Sequence, residues 1–360
     1  MKTPMLSWQR KSLVGLDLDA SAVRLVQLRK DRGGYVIVKA VVTEITPWGG
    51  DPQLRRIHTI GAIRQGLSNA GITSKYAVCG LRGPEVVVRD FEFPAMTPDE
   101  IAGAVELEVS QICPFLAEES TFDYQVTSND DKKTMGFWVA ATNDLIESTR
   151  QLAAEAGLHC ALVDVVGLAL LNLLGVQNEE PKVEDVEPTT PDRASCPAPR
   201  DALLSLGDSC TSIAIADPAG RPFVRDIGSG GGESRPALAG ARFAAHGSFS
   251  PESGWPAHND YRPMTNDSLV EDVTTTLRYY AAQNGSAQVG RLLVCGGLRA
   301  AQESIELLRT RVPFEVRPWN PLTDCGLRIA EGGLQNTNDD HSPLYGPSLA
   351  VAAGLAMRNI

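Results

Sequence analysis

The residues with the clearest chemical potential lie near the start of the chain, between Val14 and Leu28. This stretch predicts an apolar strand, a tight turn of small residues, and a second strand rich in branched apolar residues. Asp17 falls at the end of the first strand, where its carboxylate could hold a hydrated Mg²⁺ ion. The backbone N–H groups from Asp19 to Ala22 could point at an anion. The stretch therefore suggests a phosphate site, although a hairpin of this kind is more often only structural.

The same pattern returns after residue 200. An apolar strand at 202–206 precedes a polar turn that contains Asp208 and Ser209, and two more strands follow, up to Ile227. Halves that share a strand, turn, strand and strand order indicate an internal duplication. Further on, a buried strand ends at the paired glycines 296–297, where a backbone can approach a flat ligand closely.

The intervening segments define the predicted domain organisation. Between the two halves, a pattern of strand, helix, strand, strand and helix indicates a small inserted unit. The first helix of this unit is predicted to begin at Thr97, which is followed by Pro98. The stretch 177–200 holds five Pro and an acidic run, which favours a flexible linker. The predicted units are a first lobe at 12–80, continued by 158–176 and a C-terminal helix at 346–360; an inserted α+β subdomain at 81–157; the linker at 177–200; and a second lobe at 201–345.

Composition narrows the class of protein. The 360 residues suffice for two or three domains, and a net charge of −11 gives no basic footprint for nucleic acid. The seven Cys never take C-x-x-C spacing, which favours reduced thiols over a disulfide framework or a zinc site. The longest apolar stretch, 161–176, is interrupted by Asp164 and is too short to span a bilayer, and no signal peptide is visible. We therefore expect a cytoplasmic protein.

Several motifs along the chain resemble the actin-like ATPase fold and, within it, the PilM family of type IV pilus assembly, with relatives in type II secretion. Residues 15–25 stand where the family opens with G-I-D-I-G-S-x-x-V-K-L. Phe93-Pro94, 106–108 and 111–115 are similar to the family's L-P, E-x-E and I-P-F. The return strand at 157–165, the helix residues 277–280 and the strand 292–297 also match the family's order.

This resemblance implies an α/β fold in which two RNase H-like lobes clasp ATP and Mg²⁺. The phosphates would lie at the two hairpin turns, the base would lie near Gly296, and the glycine-rich loop 228–232 would form the floor of the cleft. It also implies a groove between the inserted subdomain and the first lobe. That groove would bind the N-terminal cytoplasmic tail of a PilN-like bitopic protein, so the chain would be peripheral at the inner membrane and able to form a ring. The implied ligand-binding residues are Asp17 (also the Mg²⁺ ligand), Asp19, Ala20, Ser21, Ala22, Gly207, Asp208, Ser209, Gly230, Gly231, Thr276, Gly296 and Gly297.

Three departures from the family pattern bear on activity. Ser205 stands where the family carries an Asp that helps to position Mg²⁺ and water, and Asp19 stands where the family carries Gly. A carboxylate at residue 19 places like charge beside a phosphate and removes a residue tolerant of unusual backbone angles. The helix that would cover the base has threonines at 274–276 where relatives often have basic residues. We therefore expect a scaffold that binds ATP weakly and hydrolyses little or none.

Two alternatives remain open at this point. An active ATPase of the same fold would use Asp17 and Asp208 around Mg²⁺. A serine esterase would use Ser209 of the Gly-Asp-Ser sequence as nucleophile with His341, although Asn338 occupies the position where that motif needs an Asp.

Overall fold

Two large sheets and one small sheet form the framework of the protein. They come from a computed structural model that describes residues 13–178, 200–208, 210–216, 220–227, 266–284, 289–335 and 345–358. The strands are β1 (Leu13–Leu18), β2 (Ala22–Asp31), β3 (Gly34–Glu44), β4 (Tyr76–Leu81), β5 (Val86–Pro94), β6 (Ser120–Asn129), β7 (Lys133–Thr142), β8 (His159–Val165), β9 (Arg200–Leu206), β10 (Thr211–Ala216), β11 (Pro222–Ile227), β12 (Val289–Gly296), β13 (Glu315–Pro318), β14 (Arg328–Ile329) and β15 (Leu334–Gln335). The helices are α1 (Pro52–Asn69), α2 (Pro98–Ile112), α3 (Asn143–Glu155), α4 (Val166–Asn178), α5 (Asn266–Gln283), α6 (Leu298–Arg311), α7 (Pro321–Asp324), α8 (Tyr345–Ser348) and α9 (Ala350–Ala356).

The two large sheets repeat one arrangement of five strands. The first contains the order β3-β2-β1-β4-β8, and the second has the order β11-β10-β9-β12-β13. In each sheet the first three strands are antiparallel neighbours, whereas the last two run parallel to the central strand, β1 or β9. This equivalence confirms the duplicated α/β architecture that the sequence predicts. It also brings the β1–β2 turn and the β9–β10 turn to corresponding positions on the two lobes.

The small sheet has the order β5-β7-β6 and carries α2 on one side. The predicted start of α2 is confirmed, because the N–H of Thr97 donates to the carboxylate of Glu100 at 2.8 Å. Ile101 and Val105 on the helix pack into one core with Trp138 of β7. The alternation of apolar residues at helical spacing therefore fixes which face of α2 covers the sheet.

The C-terminal helix α9 closes the first lobe, and its small residues let it approach the first sheet and α4 very closely. All seven of its residues are buried. A Cβ atom on Gly15 of β1 would lie 1.9 Å from the carbonyl oxygen of Ala352, and one on Gly354 would lie 2.0 Å from that of Ala169. Only glycine at these positions permits such contact. Neither α4 nor any other helix in the described part of the chain is long and apolar enough to cross a membrane.

Three parts of the chain differ from the sequence-based prediction. Helix α1 begins at Pro52 and not at Thr59, because the Asp51 side chain accepts the N–H of Gln53 at 2.8 Å and caps the helix. Helix α3, expected in the inserted subdomain, packs through Ala153 in the core of the first lobe. The residues 328–335, expected in the second lobe, contribute β14 and β15 to the edge of the first sheet through β3.

Candidate functional site

Asp17 lies at the centre of an ion cluster between the two lobes. It sits in β1 directly opposite Arg24 of β2, and both side chains are buried. One oxygen of Asp17 lies 3.2 Å from Nη1 of Arg24, and the other is bonded to Nη2 of Arg82, which follows β4. The sequence prediction missed both arginines. Arg24 could have been found from the hairpin register, whereas Arg82 is distant in sequence.

Asp19, in the first turn, is the second buried carboxylate of the cluster. Its Oδ1 accepts the N–H of Ala20 at 2.9 Å, and both of its oxygens accept the N–H of Asp208 at 3.1 Å. Its Oδ2 also lies 3.4 Å from Nη1 of Arg24. Burial alone would raise the pKa of Asp19, but the guanidinium groups of Arg82 and Arg24, with these two N–H groups, hold its pKa at about 2. Asp19 is therefore a carboxylate at any physiological pH.

The first turn differs from the anion-binding turn that the sequence suggested. The N–H of Asp19 donates to the carbonyl oxygen of Ala22 at 3.0 Å, and the N–H of Ala20 is taken by the Asp19 side chain. Two of the four amides predicted to face an anion are thus satisfied within the turn itself. The Ala20 amide is taken because the carboxylate at residue 19 accepts locally, as Asp does in turns.

Arg82 links the ion cluster to the second lobe. Its side chain is 8 % exposed. Burial opposes its charge, yet Asp17 and Asp19 together raise its pKa above the usual value. The next residue, Gly83, donates its N–H to the carboxylate of Asp226 on β11 at 2.7 Å. Burial raises the pKa of Asp226.

The second turn packs directly onto the first. The Ser21 hydroxyl donates to the side chain of Asp208. A Cβ on Gly207 would lie 2.6 Å from the carbonyl oxygen of Cys210, 2.9 Å from Nη1 of Arg82 and 3.1 Å from Oδ2 of Asp19. Residue 207 therefore has to be glycine for the two turns to meet in this way.

The other predicted ligand residues are distributed around this cluster. Gly296 has a φ of +106° and lies against the backbone of Leu206, and Gly297 donates its N–H to the carbonyl oxygen of Leu206 at 2.9 Å. Thr276 on α5 is buried, with 1 % exposure. Ser209, Gly230 and Gly231, as well as the esterase candidates Asn338 and His341, lie outside the described residues.

Mg²⁺ and a nucleotide phosphate fit this arrangement poorly. Both oxygens of Asp17 already have a guanidinium partner, and the part of the chain that the structure describes contains no group of three His, Cys, Asp or Glu placed to hold a metal ion. Among the described residues around the cleft, two guanidinium groups face four carboxyl groups, so added phosphate would meet negative charge. These four are Asp17, Asp19, Asp208 and Asp226.

A second concave surface lies where the small sheet meets both lobes. This groove has a volume of about 250 Å³. Its walls are Phe137 of β7, Leu168 and Leu171 of α4, and Pro222 of β11, and Gln125 of β6 stands at its edge. Two arginines also line it, Arg221 and Arg358. Both arginines already have carboxylate partners, Asp90 and Glu92 for Arg221 and Asp164 for Arg358. A lining of apolar side chains and paired guanidinium groups is suited to a short peptide that carries apolar side chains and carbonyl groups.

The equivalent strand orders of the two large sheets, with an inserted subdomain in the first lobe, define a protein of the actin-like ATPase fold. Residues 15–183, just under half of the chain, match the family model described as "Type IV pilus assembly protein PilM". A solved "PilM-PilN type IV pilus biogenesis complex" is similar to the chain with a TM-score of 0.67 and 19 % identity, covering 97 % of this chain and 98 % of that one. The chain is therefore PilM-like. The second-lobe motifs at 277–280 and 292–297 fall outside the residues that the family model matches.

More distant likenesses extend to other proteins. One is a Bacteroides thetaiotaomicron protein "with actin-like ATPase fold and unknown function", with a TM-score of 0.46, 7 % identity, and coverage of 89 % of this chain and 95 % of that one. Another is the cytoplasmic domain of EpsL, "an inner membrane component of the type II secretion system of Vibrio cholerae", with a TM-score of 0.37, 8 % identity, and coverage of 60 % and 71 %.

Proposed function

We propose that this protein is a scaffold in the assembly of a type IV pilus or a related secretion apparatus, and that it binds the N-terminal cytoplasmic tail of a PilN-like bitopic membrane protein. The observation that carries the proposal is the PilM-like first half, joined to a whole-chain likeness to the PilM–PilN complex. The protein would be cytoplasmic and would reach the inner membrane through this partner. Assembly into a ring stays a prediction.

The groove between the small sheet and the lobes is the surface that best suits such a tail. Phe137 and Leu168 form one core with neighbouring residues of β8 and β11, so the wall of the groove is preformed and loses little entropy on binding. The Arg221 guanidinium lies 3.7 Å from the carboxylate of Asp90 and 3.8 Å from that of Glu92. These ion pairs connect the second lobe to the small sheet at the edge of the groove. A bound segment would therefore contact all three parts of the protein at once.

ATP and Mg²⁺ remain predicted ligands, but the geometry of the cleft does not favour them. The proposed scaffold role needs neither, because the groove and the cleft are formed by different residues. The alternatives of an active ATPase and of a Ser209 hydrolase gain no supporting observation from the described residues.

The proposal is tested by measuring tail binding to the full chain. The labelled N-terminal tail of the PilN-like protein from the same organism is titrated with the wild type and with Gln125→Trp, which places a large ring at the edge of the groove. Gln125 is exposed, so this change leaves the core intact. Gln65→Trp, on the exposed side of α1, is the matched control.

Fluorescence anisotropy should show saturable binding to the wild type and to Gln65→Trp, with at least tenfold weaker binding to Gln125→Trp. An absence of binding to the wild type would sink the scaffold proposal. Equal binding by both tryptophan variants would mean that the tail does bind the protein, but at a surface other than this groove.

A further inference from the structure

The carboxylate of Asp19 occupies the place between the two turns where a ligand's phosphate would be expected. We propose that this carboxylate is a built-in substitute for a phosphate group and that Arg24 and Arg82 substitute for the metal cation. The two lobes would then be clamped by the chain itself, and the protein would work without nucleotide. This inference goes beyond the proposed function and fails or succeeds independently of it.

The bonds to Asp19 are those that a phosphate oxygen would receive. One backbone N–H comes from the first turn, at Ala20, and another comes from the second turn, at Asp208. A guanidinium group, that of Arg24, completes the set at 3.4 Å. Amides of two turns and an arginine converging on one anionic group are the usual features of a phosphate site. Here the anion is a side chain of the same turn.

The cation position is filled in the same manner. Asp17, the carboxylate predicted to hold Mg²⁺, is bonded through one oxygen to Arg24 and through the other to Arg82. Asp17 is 2 % exposed, and the side chains of the two arginines are 5 % and 8 % exposed. A divalent ion could reach Asp17 only by separating buried ion pairs. As long as these pairs stay intact, the arginines neutralise the charge of the carboxylate.

These bonds also join the lobes. Asp208 of the second turn binds Asp19 through its N–H and Ser21 through its side chain, and Gly83 binds Asp226 of β11. In a nucleotide-dependent protein of this fold the ligand would bridge the two turns. In this chain the bridge is complete with residues from both turns and from the loop after β4. The closed arrangement therefore requires no ligand contact.

The test compares the wild type with Asp19→Gly, which removes the proposed phosphate substitute while leaving its donors in place. Thermal unfolding of the full chain is followed with increasing inorganic phosphate, Mg-ATP or adenosine. The wild type should show no change in Tm with any of them. Asp19→Gly should be less stable than the wild type, and phosphate at about four times its dissociation constant should raise the Tm of this variant by about 2–4 °C. Adenosine, which lacks phosphate, should have no effect on either protein.

Asp130→Gly is the matched control, because Asp130 likewise accepts the N–H groups of its own turn, those of Lys132 and Lys133, but lies in the small sheet. It should gain no response to phosphate. A rise in the Tm of the wild type with Mg-ATP would overturn the proposal. So would a folded Asp19→Gly that does not respond to phosphate or Mg-ATP.

If Asp19→Gly does not fold, Asp19→Asn decides the question, because the amide keeps the size of the side chain and removes its charge. Hydrogen exchange at the amide of residue 208 should then be at least tenfold faster in Asp19→Asn than in the wild type, since the N–H loses a charged acceptor. Equal exchange rates in the two proteins would show that Asp19 does not hold the second turn.

Discussion

The two lobes share one strand order but carry different chemistry at the equivalent point. In the first sheet Asp17 lies opposite Arg24 across β1 and β2. In the second sheet the corresponding pair across β9 and β10 is Ser205 and Ser212. All four residues are buried, each with 4 % or less of its surface exposed. The duplicated scaffold therefore accepts a charged pair or a neutral pair at the same position.

This difference shows how the charged groups of the cleft are divided between the two lobes. The first lobe supplies the ion pairs, whereas the second lobe supplies the N–H of Asp208 and no carboxylate at residue 205. Among the residues that the structure describes, neither lobe alone holds the set of groups that would position Mg²⁺ and an attacking water. The residues that remain are sufficient to hold the turns together.

The largest effect is expected from breaking the charged pair. Arg24→Ser leaves the buried carboxylate of Asp17 with one cationic partner and should lower the free energy of unfolding by about 3–5 kcal/mol. The double variant Asp17→Ser/Arg24→Ser reproduces the neutral pair of the second lobe. Urea denaturation should show that the double variant loses at least about 1 kcal/mol less than the sum of the single variants. Additive losses would mean that the two charges are not coupled.

The close contact of the turns gives the next effect. In Gly207→Ala the new Cβ would lie 2.6 Å from a backbone oxygen of Cys210, which cannot move aside as a flexible side chain can. The free energy of unfolding should fall by about 1–3 kcal/mol. Gly103→Ala is the control, because Gly103 lies in α2 with no atom within 4 Å of the new Cβ. That change should stabilise the helix by about 0.5–1 kcal/mol. If Gly103→Ala lost as much stability as Gly207→Ala, the close contact of the turns would not explain the effect at residue 207.

The pH dependence of stability isolates Asp19. Its pKa of about 2 in the folded protein lies below the usual 3.8. A lowered carboxyl pKa stabilises the fold above pH 3.8, and this contribution is lost as the pH falls toward 2. The wild type should therefore exceed Asp19→Asn by about 2 kcal/mol more at pH 5 than at pH 2 in urea denaturation. A constant difference between these pH values would contradict the ionic role. The ionisable groups around Asp19 are Asp17, Arg24, Arg82, Asp208, Cys210 and Asp226.

The smallest effect is expected at the exposed edge of the contact between the two turns. Ser21→Ala removes the hydroxyl that donates to Asp208 near solvent. Because water can replace an exposed hydrogen bond, the loss of unfolding free energy should stay below about 1 kcal/mol. A loss comparable to that of Arg24→Ser would place the main interlobe bond at Ser21 and not in the buried ion cluster.

Local patterns were enough to predict much of the fold. The alternating strands, the Thr97 cap and the repeated strand order all depend on residues close in sequence. The Asp51-Pro52 pair is also a local signal for the start of α1. The prediction began the helix too late because its first turns are mostly polar and show no clear apolar periodicity. By contrast, periodicity could not tell that Leu107 would be exposed while Val105 is buried, because both are apolar residues of one helix.

The candidate site was less predictable for a physical reason. The sequence identified Asp17 and Asp19 as chemically active, but a carboxylate's role depends on what neutralises it. The partners are Arg82, 65 residues from Asp17, and the N–H of Asp208, 189 residues from Asp19. These contacts arise only when the lobes pack together. A motif that suggests a metal and phosphate site can therefore be a closed ion cluster.

The most direct measurement is the hydrogen-exchange rate of the Asp208 amide in the wild-type protein freed of nucleotide. If the Asp19 carboxylate holds the second turn, this amide should exchange slowly without nucleotide, and Mg-ATP should leave its rate unchanged. Fast exchange that becomes slow only when Mg-ATP is added would show that a ligand, and not the chain, closes the cleft.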